Sequence, residues 1–164
     1  SPYDFAVVAT STTAYVSCLA DSDLAKINMS DRTVTRVPLP YGVSPTGLAI
    51  NASGTVLIVA NSKLDTLMKL NPVSGEIIGS ISIGRLPSDV EFISATTVAV
   101  ACQGDNTLYI VDTQTMSIVA RLVVANSPRK LFVSSDGKYL MVSHAASNSL
   151  VIIDIPTLTI KGSL

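Results

Sequence analysis

Tryptophan is absent from this chain, histidine occurs once, cysteine twice, and charged residues make up only 14% of the 164 positions. Each scarcity excludes something. With His144 as the one histidine, no two-imidazole metal site can form, and catalytic zinc usually takes three protein ligands. Two cysteines are too few for a disulfide-dense scaffold. Basic residues are scattered, Arg129-Lys130 being the one adjacent pair, so the clustered positive footprint of a nucleic-acid binder is missing. No apolar run approaches the ~18 residues of a membrane helix. Phosphate-cradling glycine loops, haem-attachment motifs and paired-carboxylate signatures are also lacking. No nucleic acid, membrane span, cofactor or resident metal is therefore expected. Asp21-Ser22-Asp23 opens like a calcium loop, but Leu24-Ala25 interrupts the pattern.

What the chain does hold is apolar and periodic. Apolar residues form 48% of it, which excludes a disordered chain. Pro2, Pro45, Pro87 and Pro128 recur at intervals of 43, 42 and 41 residues. An Asn or Asp closing an apolar run, at Asn28, Asn71, Asp112 and Asp154, recurs at 43, 41 and 42. Two independent markers in step divide the chain into units 1–43, 44–85, 86–126 and 127–164.

Each unit is expected to hold four strands. In the second they are predicted over 47–50, 56–60, 66–70 and 76–83, separated by turns rich in Asn, Ser, Pro and Gly. The continuous apolar run Leu150-Val151-Ile152-Ile153 predicts a strand covered on both faces. Alternation of Ile77, Gly79, Ile81 and Ile83 with Ile78, Ser80 and Ser82 predicts a wetter outer strand. Four short strands every ~40–45 residues make an all-β fold, a β-propeller of four consecutive four-stranded blades. Without tryptophan the WD-repeat signature is excluded, and kelch units are longer, at ~50 residues.

The second strands align without gaps as Tyr15-Val16-Ser17-Cys18, Ile58-Val59-Ala60-Asn61, Ala99-Val100-Ala101-Cys102 and Met141-Val142-Ser143-His144. This pattern resembles the Tyr-Val-Thr-Asn signature of YVTN β-propeller proteins across essentially the whole chain. The run Gln103-Gly104-Asp105-Asn106-Thr107-Leu108-Tyr109-Ile110-Val111-Asp112 follows the signature closely. The resemblance implies a larger ring, commonly of seven blades, and a place among surface-associated, lactonase-like or periplasmic redox propellers. Only Asn61 keeps the signature Asn; Cys18, Cys102 and His144 replace it.

The start at Ser1-Pro2, without Met or an apolar leader, and an end inside the last expected strand suggest part of a larger ring. Terminal blades would then present bare apolar faces, so self-association or a protein partner is expected there. Loops entering the first strands supply the candidate ligand rim: Asp4, Asp89, Glu91, Arg129 and Lys130, with His144 on the same side. Asp21, Asp23, Lys63, Asp65, Asp105 and Asn148 lie on neighbouring loops. No catalytic residue is assigned. Ser143 and His144 are adjacent in a strand, so they point to opposite faces and cannot pair. Cys18 and Cys102, two units apart, are expected to stay unpaired beyond the ~7 Å disulfide limit. The expected function is a non-catalytic binding or scaffold module at a cell surface, outside the cell or in the periplasm. The alternative is a segment of a lactonase-like or periplasmic redox enzyme, with Arg129 and Lys130 holding an anionic substrate.

Overall fold

The computed structural model describes residues 1–7 and 11–164. Its sixteen strands fall into four sheets, one per sequence repeat. The first holds β1 (Pro2–Val7), β2 (Thr13–Cys18), β3 (Asp23–Asn28) and β4 (Val34–Pro38). The second holds β5 (Pro45–Ile50), β6 (Leu57–Asn61), β7 (Thr66–Leu70) and β8 (Ile77–Ser82). Then come β9 (Pro87–Phe92), β10 (Thr97–Cys102), β11 (Thr107–Asp112) and β12 (Ser117–Val123). The last are β13 (Pro128–Val133), β14 (Tyr139–His144), β15 (Ser149–Asp154) and β16 (Thr159–Ser163). Every sheet is an antiparallel meander in chain order. Among the described residues no helix is long and apolar enough to cross a membrane.

Both sequence markers have a local cause. Asn28, Asn71, Asp112 and Asp154 each close a third strand, and the side-chain oxygen of each accepts a backbone N–H from the following turn. Such turns suit Asn and Asp because their short side chains replace a backbone acceptor. Each marker proline opens a first strand opposite the signature residue: Pro2 with Cys18, Pro45 with Asn61, Pro87 with Cys102, Pro128 with His144. The register then shifts at once in all four blades. Proline has no N–H for the ladder, and a bulge is where a sheet tolerates that loss.

The core lies between blades. One cluster joins Ala6, Tyr15 and Leu24 of blade 1 to Leu48, Val59 and Met68 of blade 2. A second joins Ile58, Ala60 and Leu67 to Val90, Val98 and Val111. The third joins Ala99, Ala101 and Leu108 to Leu131, Val142 and Val151. Alternation along each strand thus sends one set of side chains to the next blade and the other to the previous one. Inner β6 is buried throughout, whereas outer β8 alternates and β16 is exposed, as the sequence pattern predicts.

Blade 4 corrects one expectation. In β15 only Val151 and Ile153 are buried; Leu150 and Ile152 are half-buried. The strand is covered on one face because no blade follows it in the structure. The fourth sheet nevertheless has its four strands, and Leu164 exchanges both backbone bonds with Leu150.

Candidate functional site

The position two residues after each marker proline holds Asp4, Gly47, Asp89 and Lys130, on the four innermost strands. The two aspartates act as clamps between blades. Asp4 Oδ2 accepts the Leu48 N–H of blade 2 at 3.0 Å, and Asp89 Oδ2 accepts the Leu131 N–H of blade 4 at 2.8 Å. Between them Gly47 lies directly on blade 3, where an added Cβ would fall 2.5 Å from the Asp89 Cα.

Lys130 completes the cluster. Its Nζ donates to Asp4 Oδ1 at 2.9 Å and to Asp89 Oδ1 at 3.2 Å, linking blade 4 to blades 1 and 3. The ammonium also stands 5.7 Å from the Tyr3 ring centre. Burial pushes the Asp89 carboxyl up to about 6, and the nearby Asp4 charge adds to it, against the Leu131 N–H and Lys130. For Lys130 burial acts downward, but Asp89 and Asp4 outweigh it and hold the ammonium above its ordinary value.

Glu91 follows on the same strand, half-buried. Its carboxyl is pushed up to about 7, first by burial and then by the Asp89 and Asp4 charges. It lines a cavity of about 190 Å³ with Phe5, Ala6, Val7, Leu48, Ala49 and Ile50. An acidic group lining a mostly polar cavity, with Asp4 and Asp89 nearby and one lysine shared between those two, favours a cationic ligand group.

The remaining candidates do not join this cluster. Arg129 is exposed on β13. His144 is 4% exposed and sunk against blade 3, its ring close to the Ser149 and Val142 backbone but without a well-formed hydrogen bond at either nitrogen. Burial holds its imidazole below the ordinary value. Ser143 Oγ accepts the Lys130 N–H, so it packs the bulge and faces away from the histidine. Cys18 and Cys102 are both unpaired and buried, and burial pushes the Cys102 thiol well up. Cys18 Sγ, Asp21 and Asp23 converge within 4.8 Å, and Arg36 Nη1 donates to both Cys18 Sγ and Asp23 there. The guanidinium therefore supplies the positive charge for that group.

The signature position is a joint, and the polar network around it was not foreseen from the sequence. Asn61 Oδ1 accepts the N–H groups of Ser44 and Lys63, tying the residue before the marker proline to the following loop. Cys102 and His144 cannot do this in the same way. In their blades the N–H before the proline goes instead to the preceding blade: Leu86 to Asp65 Oδ1 and Ser127 to Asn106 Oδ1, both at 2.8 Å. Asp65 and Asn106 adopt φ of 51° and 55°, a region that Asn and Asp tolerate better than most residues. Small hydroxyls add further ties: Thr46 Oγ1 donates to the Pro87 carbonyl and Ser88 Oγ to that of Pro128. Thr46 and Ser88 each follow a marker proline; Tyr3 and Arg129 in the outer blades hid that recurrence.

No protein-family model matches the chain, and no curated protein matches it. Among solved structures it is similar to Kuenenia stuttgartiensis hydrazine synthase, with a TM-score of 0.90 at 24% sequence identity. The match covers 99% of this chain and 48% of that one, so the chain spans about half the length of the structure it resembles. The fold is accordingly all-β, four consecutive four-stranded antiparallel sheets corresponding to part of a propeller.

Proposed function

We propose that the chain is a non-catalytic scaffold segment of a YVTN-type β-propeller, whose axial mouth receives a positively charged segment of a protein partner. One observation carries this reading: Asp4, Asp89 and Lys130 are engaged with backbone groups and with one another, while Glu91 lines the open cavity beside them. Above about pH 7, where Glu91 and Asp89 are both ionised, three carboxylates against one ammonium leave the mouth acidic. A lysine- or arginine-bearing segment fits its charge and its mostly polar lining, since such side chains donate charge-assisted hydrogen bonds to carboxylates and carbonyls. A cell-surface, extracellular or periplasmic setting belongs to the proposal and rests on the YVTN resemblance alone.

Fluorescence anisotropy with a lysine-rich and a glutamate-rich peptide of equal length tests it. The basic peptide is expected to bind, with affinity falling as salt is raised and about tenfold weaker binding to Glu91→Gln. Equal binding of both peptides, or indifference to Glu91→Gln, would overturn it.

A second reading, a segment of a lactonase-like or redox enzyme, draws on exposed Arg129 beside Lys130 and on a structural neighbour that is a synthase. Lactone hydrolysis abolished by Arg129→Ala would favour it over the scaffold.

A further inference from the structure

Lys26 and Lys69 stand at the same place in blades 1 and 2, two residues before the marker that closes each third strand. Each reaches across a joint to the next blade. Lys26 Nζ donates to the Pro72 carbonyl at 3.1 Å, and Lys69 Nζ to that of Thr113 at 2.7 Å. Pro72 and Thr113 each follow the marker residue of their blade, so the two lysines form one latch repeated at successive joints.

The charge around the two latches differs. The marker before Thr113 is Asp112, whose carboxyl is held below its ordinary value first by the Thr115 N–H, with the Lys69 charge contributing. Lys69 therefore has a carboxylate nearby across its joint. The marker before Pro72 is Asn71, which is neutral, and among the described residues no carboxylate lines the space around Lys26. The Lys26 ammonium meets the carbonyls of Pro72 and Val73 and stands 5.8 Å from the centre of the Tyr15 ring.

That space is a cavity of about 200 Å³ between blades 1 and 2, both of which the chain contains. Blade 1 lines it with Ser11, Thr13, Tyr15 and Lys26, and blade 2 with Ser53 and Pro72 among others. The hydroxyls are particular to this joint. At the joint of blades 2 and 3 the residues in register with Ser11, Thr13 and Tyr15 are Gly54, Val56 and Ile58, and the last two pack in the apolar cluster there. Tyr15 donates its hydroxyl to the Pro72 carbonyl, while Ser11 Oγ accepts the Thr13 N–H and keeps its own proton to donate. An ammonium and several hydroxyls, with no carboxylate beside them, are donors that nothing nearby neutralises.

We infer that this cavity binds a small oxyanion, a carboxylate or phosphate group, with Lys26 as its charged contact and the hydroxyls of Ser11, Thr13 and Ser53 as donors. The Pro72 carbonyl already holds the lysine in place, so little side-chain freedom is lost when the anion arrives. Hydrogen bonds with an ionised partner on both sides are the strong kind. The site shares only Ile50 with the Glu91 cavity and has the opposite charge preference. It stands or falls independently of the scaffold reading.

Titration of the isotope-labelled chain with sodium phosphate, and separately with sodium acetate, followed by amide NMR at neutral pH, is the test. At least one anion is expected to give saturable shifts at millimolar concentration, centred on the amides of Ser11, Thr13, Ser53 and Gly54. A response to phosphate alone identifies a phosphoryl ligand; a response to acetate, with or without phosphate, identifies a carboxylate. Lys26→Gln keeps a donor for the Pro72 carbonyl but removes the charge, and is expected to weaken binding about tenfold. Ser53→Ala, at an exposed side chain outside the joint's core, should weaken it several-fold. Lys69→Gln, the same change at the latch beside Asp112, should leave it unchanged. Three results would each overturn the inference: no saturable shift at tens of millimolar, affinity untouched by both Lys26→Gln and Ser53→Ala, or equal losses from Lys26→Gln and Lys69→Gln.

Discussion

Both ring nitrogens of His144 are enclosed with no well-formed hydrogen bond, only the Ser149 and Val142 backbone being near, and a buried polar group left unsatisfied costs about 1–3 kcal/mol. An amide at that position can bond the following loop as Asn61 does. His144→Asn is therefore expected to stabilise the chain by about 1 kcal/mol, read from the urea midpoint at constant m-value. Asn61→Ala is expected to cost ~1–3 kcal/mol, because it strands the N–H groups of Ser44 and Lys63. A destabilising His144→Asn would return the imidazole to consideration as a working group. The carboxyls set a pH dependence of known sign. Asp89 and Glu91 are raised to about 6 and about 7 in the folded chain. The folded state then binds protons more tightly than the unfolded one, so their contribution is full below about pH 4 and is lost as pH rises through 6 to 7. The lowered imidazole of His144 slopes the other way near neutrality, so the useful readout is a difference between proteins. Relative to the parent, Glu91→Gln is expected to gain melting temperature at pH 8 and little at pH 4.5. Equal shifts at both values would contradict the burial argument. Of these residues the sequence showed the signature position as one repeated place, because spacing alone defines it. It placed His144 on the rim with Arg129 and Lys130, whereas the side chain is sunk against blade 3. Spacing fixes a position along a strand, but which neighbour covers it depends on the packing of whole sheets.

At the scale of strands, the innermost set is where blades approach most closely. Gly47 has no room for a methyl group, since the obstruction is the backbone of Asp89 and Val90 at 2.5–2.7 Å, which cannot swing aside as a side chain would. Gly47→Ala is expected to destabilise by about 1–3 kcal/mol, and by more than the same change at exposed Gly162, where nothing lies within 4 Å. Similar costs at both sites, measured by denaturation, would mean that blades 2 and 3 are not held as tightly as their inner strands indicate. Strand count and order were legible from the alternation of residue types, and the outer strand predicted over 76–83 forms as Ile77–Ser82. The bulge after each proline was not legible. A missing N–H says that the ladder must fail there, but the partner strand decides how. Nor were the clamps from Asp4 and Asp89 visible, because each reaches a residue more than forty positions away.

For the whole molecule, stability lies in the joints between sheets. A blade is four strands with little apolar material of its own, and each of the three clusters draws on two neighbouring blades. Such stacks behave as sums of units and nearest-neighbour interfaces. Within the chain blades 2 and 3 have two joints each, and blades 1 and 4 one. Hydrogen exchange followed by mass spectrometry reads this directly, because protection reports local opening. The amides of β6 and β10 are expected to exchange slowest and those of β2 and β14 markedly faster. Four blades protected alike would contradict the account.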